Sequence, residues 1–273
     1  MADYDSYKKE LEVAIEAARE AGAALLRHYE DGTEIWEKSA DNPVTAADLE
    51  ADRIIAERLR AAFPGDAILS EESVSSLDRL QNPRVWIVDP MDGTKEFTKR
   101  IPEFAVSIAL TCDGEPVVGV IHNPLANVTV WASQGAGAFR DDDLVRVSDC
   151  QDLSQSVVVA SRSEIGRGEF EPYEGWFKQL EPMGSIAWKL AVVASGAADA
   201  TGADLNISVA PKNEWDVCAG DLLVREAGGR YVDFDGNPRI YNQETTLIDC
   251  YMAAGPAALL EQFFTRERER AAG

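Results

Sequence analysis

Hydrophobic positions recur every three or four residues in the first part of the chain, and this period predicts two helices. The first pattern covers residues 11–29. The second begins after Thr45, which lies three residues before Asp48 as in a capping box, and it continues to about residue 63, before Pro64 and Gly65. Both helices are expected to pack an apolar face against the strands that follow.

Short apolar runs of strand length come next. The predicted strands lie near residues 67–70, 85–89, 105–111, 116–121 and 128–132. Turn signals at Asp113-Gly114 and Asn123-Pro124 separate several of them. Strands this closely spaced are typical of an antiparallel sheet, and the two helices are expected to cover it in an α+β arrangement.

The pattern changes after a polar bridge at residues 141–154. Beyond it, strands and helices alternate: the predictions are a strand at 157–160, helices at 186–194 and 217–227, a strand at 231–232 and a closing helix at 257–268. This alternation is typical of a layered α/β unit. The chain is therefore expected to form two subdomains, an N-terminal α+β one of residues 1–145 and a smaller C-terminal α/β one of residues 146–273.

Composition restricts the class of protein. With 273 residues, 45% of them hydrophobic and 27% charged, the chain is expected to be soluble and globular. It shows neither an apolar run of about 20 residues nor a secretory signal, so a cytoplasmic location is expected. The cysteines Cys112, Cys150, Cys218 and Cys250 have no C-x-x-C spacing and are expected to stay reduced. A net charge of −22 argues against nucleic acid and membrane partners.

Aspartate and glutamate are the candidates for chemistry, because the chain has only two histidines and no nucleophile elbow. An apolar strand is expected to deliver Asp89 to its carboxyl end, where Pro90 stops the ladder and Gly93 allows a sharp turn that points Asp92 to the same volume. Two carboxylates that close repel unless a cation lies between them. Mg²⁺ prefers such oxygen ligands together with phosphate oxygens, whereas an isolated motif of this kind is more often a solvated turn.

Further acids lie at the ends of predicted elements. Glu71 and Glu72 follow a strand, Asp48 lies in the first turn of the second helix, and Asp216 opens a helix. Each of them alone is compatible with an ordinary helix cap or a polar strand end. The four acidic segments together favour one shared metal site.

These segments occur in a recognisable order. Residues 41–48, 69–73, 89–97 and 215–229 resemble the motifs of the inositol monophosphatase superfamily, which comprises Mg²⁺-dependent and often lithium-sensitive phosphatases. Within the superfamily, the run Gly93 to Phe97, the Ser161-Arg162-Ser163 motif and Lys189 are similar to the 3'(2'),5'-bisphosphate nucleotidases. The patterns and the resemblance predict an α+β / α/β layered sandwich with alternating α-β-α-β-α layers.

The resemblance also implies roles for individual residues. The implied ligands of two or three Mg²⁺ ions are Glu71, Asp89, Asp92, Asp216 and the backbone carbonyl of Met91. The residues implied to orient the attacking water are Glu71, Asp48 and Thr94. The residues implied to bind substrate are Gly93 and Thr94 through their backbone N–H groups, with Ser185, Lys189 and Asp216.

These roles predict a phosphatase that removes the 3'-phosphate of adenosine 3',5'-bisphosphate to give AMP, a step that belongs to sulfur metabolism. Lys189 is expected to hold the second phosphate. An inositol monophosphatase or related sugar-phosphate phosphatase is the alternative, and a catalytically silent metal-binding regulatory protein is a third. The expected partner is a small phosphate ester, and a homodimer is left open.

Overall fold

The computed structural model describes residues 6–39, 42–73 and 76–272. Residues 1–5, where a secretory signal would begin, and Asp41 of the first motif lie outside them. The helices are α1 Lys8–Asp31, α2 Ala46–Ala62, α3 Thr94–Thr98, α4 Arg162–Gly166, α5 Ile186–Ser195, α6 Glu214–Glu226 and α7 Ala257–Ala272. None of the described helices is both long and apolar enough to cross a membrane.

The strands form two main sheets. The first contains β3 Ala67–Ser70, β4 Arg84–Asp92, β5 Ala105–Cys112, β6 Glu115–Asn123, β7 Val128–Ser133, β8 Gly137–Arg140 and β9 Asp143–Val145, in that order. The second contains β10 Val157–Ser161, β11 Gln179–Met183, β12 Leu205–Ser208, β14 Arg230–Asp233 and β16 Met252–Gly255, in the order β11-β10-β12-β16-β14. Two small pairs complete the set: β1 Ile35–Ser39 with β2 Asn42–Thr45, and β13 Lys212–Asn213 with β15 Leu247–Ile248.

The first sheet is antiparallel except for its parallel β3–β4 pair, and helices cover both of its faces. Successive side chains of a strand point to opposite faces. On β4, Trp86 and Val88 therefore pack with α1 and α2, while Val85 and Ile87 pack with α5 and α6. The second sheet lies on the other side of α5 and α6, and α7 covers its outer face. The layers alternate α-β-α-β-α, which confirms the predicted fold class.

The central helix layer explains one feature of the sequence. Every residue of α5 is buried, because a sheet packs against the helix from each side. A helix covered all round has no need of a polar face, so the sequence of α5 is apolar apart from Lys189 and Ser195 and shows no amphipathic period. The division into subdomains at residues 145 and 146 stays a prediction.

Three local predictions were wrong. The polar bridge at 141–154 contains β9, a short edge strand whose buried Val145 gives too little alternation to be recognised. Pro90 does not end the ladder: β4 continues to Asp92 through an irregularity in register, because a bulge accommodates the missing N–H. Helix α6 begins at Glu214 rather than at Asp216, since Asn213 provides its cap.

One buried histidine gives a prediction about acid stability. His122 is 4% exposed, and its Nδ1 lies 3.1 Å from the carbonyl oxygen of Val128. Burial lowers its pKa from 6.5 to about 4. Since the unfolded chain takes up this proton first, the fold is expected to lose about 2–4 kcal/mol as the pH falls from about 6.5 to 4. Urea unfolding across this range should show that loss.

His122→Gln should lack this part of the pH dependence. The control is His28→Gln, at the partly exposed end of α1, which should keep it. Equal slopes of unfolding free energy against pH for wild type and His122→Gln would contradict the prediction.

Candidate active site

A cleft of about 380 Å³ collects most of the predicted site residues. Its lining consists of Glu71, Asp89, Met91, Asp92, Gly93, Thr94, Lys95, Glu96, Ser161, Ser163, Gly184, Ser185, Ile186, Lys189, Pro211, Lys212, Asn213 and Asp216. Segments from both sheets and from the starts of α3, α4, α5 and α6 contribute. The lining contains both signs of charge: the acids Glu71, Asp89, Asp92, Glu96 and Asp216 and the lysines Lys95, Lys189 and Lys212.

Three of the predicted metal ligands form a compact group. Carboxylate oxygens of Glu71, Asp89 and Asp216 all lie within 4.8 Å of one another. Glu71 and Asp89 come together because β3 and β4 are parallel neighbours, and the N–H of Glu71 donates to the carbonyl of Val88 at 3.2 Å. Asp216 reaches the group from the first turn of α6, where its carboxylate accepts the N–H of Asn213 at 2.6 Å.

The electrostatics of this group point to a bound cation. Burial raises the pKa of Asp89 well above its ordinary value, and the charges of Glu71 and Asp92 raise it further. Burial likewise raises the pKa of Asp216, and the charge of Asp92 adds to the shift. Close, buried carboxylates destabilise a fold unless a positive charge compensates them. A donor set made of carboxylate oxygens fits Mg²⁺, so these residues fit the cofactor that the sequence predicted.

Asp92 and Met91 lie beside this group. Asp92 Oδ2 accepts hydrogen bonds from Ser185 Oγ at 2.7 Å and from the N–H of Ala187 at 2.6 Å, both at the start of α5. Burial raises the pKa of Asp92, and the hydrogen bond from Ser185 opposes that shift. The Met91 carbonyl lies 3.2 Å from Thr94 Oγ1, which can donate to it. Metal ligation by these two residues stays a prediction.

Asp48 does not line the cleft, but it accepts a hydrogen bond from Thr94, which does. Its Oδ2 accepts the N–H of Thr45 at 2.7 Å and the Thr45 hydroxyl at 2.6 Å, which confirms the capping box. Its Oδ1 accepts the hydroxyl of Thr94 at 3.0 Å. Burial raises the pKa of Asp48, and the hydrogen bonds from Thr45 oppose the shift. The carboxylate therefore fixes the orientation of the Thr94 hydroxyl.

The two substrate-binding candidates on the α5 side already have protein partners. Ser185 donates its hydroxyl to Asp92, as described above. Lys189 is 2% exposed, and its Nζ donates to the carbonyl of Met183 at 3.1 Å. Burial lowers the pKa of Lys189 to about 8, although the charge of Asp92 opposes that shift. Contact of either residue with substrate stays a prediction.

Lys212, a lysine that falls among the sequence motifs but is not one of the predicted site residues, lines the same cleft. Its Nζ donates to Glu164 Oε1 at 2.8 Å and to the carbonyl of Ala210 at 3.0 Å. Glu164 is 2% exposed and also accepts the N–H of Val209 at 3.0 Å. No sequence signal joins the lysine to a glutamate 48 residues away. Local patterns could not have found this pair.

A layered α/β fold with a carboxylate cluster at the ends of parallel strands defines a class of metal-dependent enzymes acting on phosphate esters. The profile described as the inositol monophosphatase family matches residues 6–265. This chain belongs to the inositol monophosphatase family. It is therefore a member of a family of Mg²⁺-dependent phosphatases, which are hydrolases of phosphoric monoesters.

Relatives of known sequence and structure agree with that placement. The chain is 35% identical to Nus factor SuhB of Pasteurella multocida, over 83% of this chain and 85% of that protein. It is 33% identical to the fructose-1,6-bisphosphatase/inositol-1-monophosphatase of Thermotoga maritima, over the same shares of the two chains. The structure of inositol monophosphatase from Anabaena superposes with a TM-score of 0.80 at 30% identity, covering 96% of each chain. The suhB protein of Bartonella henselae gives a TM-score of 0.83 at 32% identity, covering 94% of this chain and 98% of that one.

Proposed function

We propose that this protein is a Mg²⁺-dependent phosphatase that hydrolyses monoesters of inositol or of sugars. The observation that carries the proposal is the group of Glu71, Asp89 and Asp216 carboxylates in a cleft that also contains lysines. The relatives named above support this substrate class, since none of them is named as a bisphosphate nucleotidase. The alternative substrate class of the sequence analysis thus becomes the main proposal. A cytoplasmic location stays a prediction.

The three clustered carboxylates would hold the cation, with Asp92 completing the acidic side of the cleft. When bound, Mg²⁺ neutralises charge on the phosphate ester and makes a water molecule easier to deprotonate. The protein's own contribution is to keep these carboxylates close in a buried site, where their mutual repulsion favours cation binding. The N–H of Asn213 donates to one carboxylate oxygen of Asp216, and the hydroxyl of Ser185 donates to one of Asp92. These hydrogen bonds fix the orientation of the two carboxylates.

The Asp48–Thr94 pair would orient the attacking water. Thr94 can donate its only hydroxyl proton to Asp48 Oδ1 in a hydrogen bond, which leaves the lone pairs of Thr94 Oγ1 to accept a hydrogen bond from the water. Glu71 would lie beside the same water, as a ligand of the cation and as the acceptor of the water's proton. Because Asp48 is itself held by Thr45, the direction of this hydrogen bond is set by the start of α2.

The turn after β4 would hold the phosphate being cleaved. Gly93 has the left-handed backbone angles φ 100° and ψ 34°, and it caps α3. This conformation directs the chain sharply from Asp92 into the helix, and the N–H groups of Gly93 and Thr94 lie at that corner. We infer that these N–H groups bind the phosphate, as N–H groups at the first turn of a helix often do.

A substrate panel tests the proposal. Phosphate release would be measured with Mg²⁺ on inositol 1-phosphate, fructose 1,6-bisphosphate and adenosine 3',5'-bisphosphate, with Asp216→Asn as the inactive control for contaminating phosphatases. Inositol 1-phosphate or fructose 1,6-bisphosphate is expected to give the highest kcat/KM. A clear preference for adenosine 3',5'-bisphosphate would restore the nucleotidase prediction. No release from any of the three would favour the catalytically silent alternative.

The nucleotidase remains the second candidate because three lysines line the cleft: Lys95, Lys189 and Lys212. A bisphosphate leaves a second dianion that fixed cations must hold, since the metal neutralises the phosphate that is cleaved. Lys189 was the cation assigned to that task by the sequence. Its burial and its electrostatic interaction with Asp92 favour a different role, support of the acidic side of the site.

Lys189→Ala is therefore expected to lower kcat/KM for inositol 1-phosphate and adenosine 3',5'-bisphosphate by the same factor. Loss of a residue that supports a metal ligand costs roughly 10- to 100-fold in activity. Steady-state kinetics on both substrates would measure the two losses. A loss confined to the bisphosphate would contradict this prediction and would support the nucleotidase.

A further inference from the structure

A carboxylate outside the predicted site residues joins two segments of the cleft wall. Glu103 lies between α3 and β5, and its two carboxylate oxygens accept hydrogen bonds from Arg162 Nη2 at 2.9 and 2.6 Å. The oxygen at 2.6 Å also accepts the N–H of Gly184 at 2.6 Å. A single side chain next to the first sheet thus holds two segments that follow strands of the second sheet.

Both partners of Glu103 adjoin hydroxyls that line the cleft. Arg162 lies between Ser161 and Ser163, and Gly184 immediately precedes Ser185. The guanidinium of Arg162 is committed to Glu103 in an ion pair. These contacts explain the Ser161-Arg162-Ser163 motif. The arginine binds Glu103, and the two serines line the cleft.

The Gly184–Ser185 turn is the more consequential of the two attachments. Ser185 has a left-handed backbone angle, φ 50°, which a residue with a side chain adopts only when its surroundings enforce it. From this conformation its Oγ donates to Asp92 Oδ2, and the N–H of Ala187 donates to the same oxygen. The hydrogen bond from Gly184 to Glu103 fixes the Met183–Gly184 peptide unit, one residue before this strained position.

Gly184 also packs closely against Glu96 on its other side. A Cβ at Gly184 would collide with the side chain of Glu96, so the backbone packs directly on that residue. The turn is held between Glu103, which accepts its N–H group, and Glu96, which fills the space beside it. Any loosening of this arrangement would be transmitted to the two hydrogen bonds on Asp92.

We infer that Glu103 is a positioning residue for the metal site: it holds the Gly184–Ser185 turn so that Asp92 presents its free oxygen to the cation. The inference rests on the proposed metal-dependent function. It assigns Glu103 no contact with substrate, and Glu103 is not one of the residues that line the cleft. Its effect is expected to reach the reaction through Ser185 and Asp92.

Glu103→Met tests the inference, because methionine keeps the length of the side chain but has no oxygen to accept the N–H of Gly184, whereas glutamine could keep that hydrogen bond through its carbonyl oxygen. The Mg²⁺ concentration for half-maximal phosphate release is expected to rise about 10- to 100-fold, as for other partners that orient metal ligands. The rise in melting temperature on adding Mg²⁺, which requires no turnover, should shift to higher Mg²⁺ by the same factor. Glu115→Met is the matched control, since Glu115 pairs with Arg225 outside the cleft.

A double-substitution cycle separates this role from a general structural one. Once Ser185→Ala has removed one of the two hydrogen bonds on Asp92, adding Glu103→Met should raise the Mg²⁺ requirement by a smaller factor than it does in the wild type, because both substitutions act through the same turn. Arg162→Met, which spares the Gly184 bond, should shift it less than Glu103→Met does.

An unchanged Mg²⁺ requirement in Glu103→Met, or fully additive effects in the cycle, would overturn the inference. If Glu103→Met does not fold, Arg162→Met and Ser185→Ala still provide a test: a larger Mg²⁺ shift for Arg162→Met than for Ser185→Ala would overturn it. Failure of the proposed function would be seen separately, as a wild type that binds Mg²⁺ in the melting assay but releases no phosphate.

Discussion

Asp92→Asn is expected to lower phosphate release by more than about 100-fold while leaving the fold intact. Loss of a residue that merely orients a metal ligand costs 10- to 100-fold, and Asp92 is predicted to be a ligand itself. Asn keeps the size of the side chain and can still accept the hydrogen bonds of Ser185 and Ala187 through its carbonyl oxygen. The loss should therefore follow from the charge and not from a displaced α5.

The same substitution should make the metal-free protein more stable at neutral pH. Burial raises the pKa of Asp92 above that of the unfolded chain. For such an acid, the stabilising contribution is present at low pH and is lost as the pH rises through the raised pKa. The melting temperature in the presence of a chelator, followed from about pH 4 upward, should thus fall less steeply for Asp92→Asn than for wild type.

The control for both measurements is Asp142→Asn, at an exposed position between β8 and β9. It removes the same charge from the surface, and it should change neither phosphate release nor the pH dependence of metal-free melting. Near-normal turnover of Asp92→Asn at ordinary Mg²⁺ concentration would contradict the metal assignment.

Gly93→Ala is expected to reduce both stability and activity. The added Cβ would lie 2.7 Å from the carbonyl oxygen of Glu103 and 3.1 Å from the Cα of Phe104, and backbone atoms cannot move aside as a flexible side chain can. The φ of 100° adds strain for any residue with a Cβ. Strain and overpacking together correspond to a loss of about 2–4 kcal/mol in the free energy of unfolding.

Chemical denaturation would measure the loss, and phosphate release at saturating Mg²⁺ would show a fall of at least tenfold if the turn places the phosphate-binding N–H groups. Gly65→Ala is the matched control, because no heavy atom lies within 4 Å of a Cβ built there. A Gly93→Ala protein with wild-type stability would show that this corner can relax. Lost stability with full activity would instead contradict the role of the turn in binding phosphate.

The reaction class and the substrate depend on different parts of the cleft. Glu71, Asp89 and Asp216 form the acidic group, which serves any phosphate ester held beside a metal. Substrate choice depends on the other residues of the cleft. The prediction of substrate from the sequence rests on Lys189 and on the run from Gly93 to Phe97. That evidence predicted a nucleotidase, whereas the relatives are named for inositol and fructose phosphates or as Nus factors. A motif shared by several subfamilies determines chemistry more strictly than it determines specificity.

The sequence by itself determined the features that depend on neighbouring residues. The period of three to four residues places α1 and α2, and short apolar runs separated by turn signals place the strands β3 to β7, close to their observed limits. The spacing of Thr45 and Asp48 predicts the cap of α2, and the acids at the ends of strands predict a metal site. These signals are local, because helix caps, alternation of faces and turns are decided within a few residues of the chain.

Only the tertiary structure decided which distant residues complete the site. Lys212 meets Glu164 across 48 residues, Glu103 meets Arg162 across 59 and Gly184 across 81, and Ser185 meets Asp92 across 93. None of these pairs leaves a pattern along the chain, because their proximity results from packing two sheets onto α5 and α6. The same packing buries α5 on every side and turns Ser185 and Lys189 toward protein partners. Local propensity sets which elements form, but long-range burial and hydrogen bonding set what each side chain contacts.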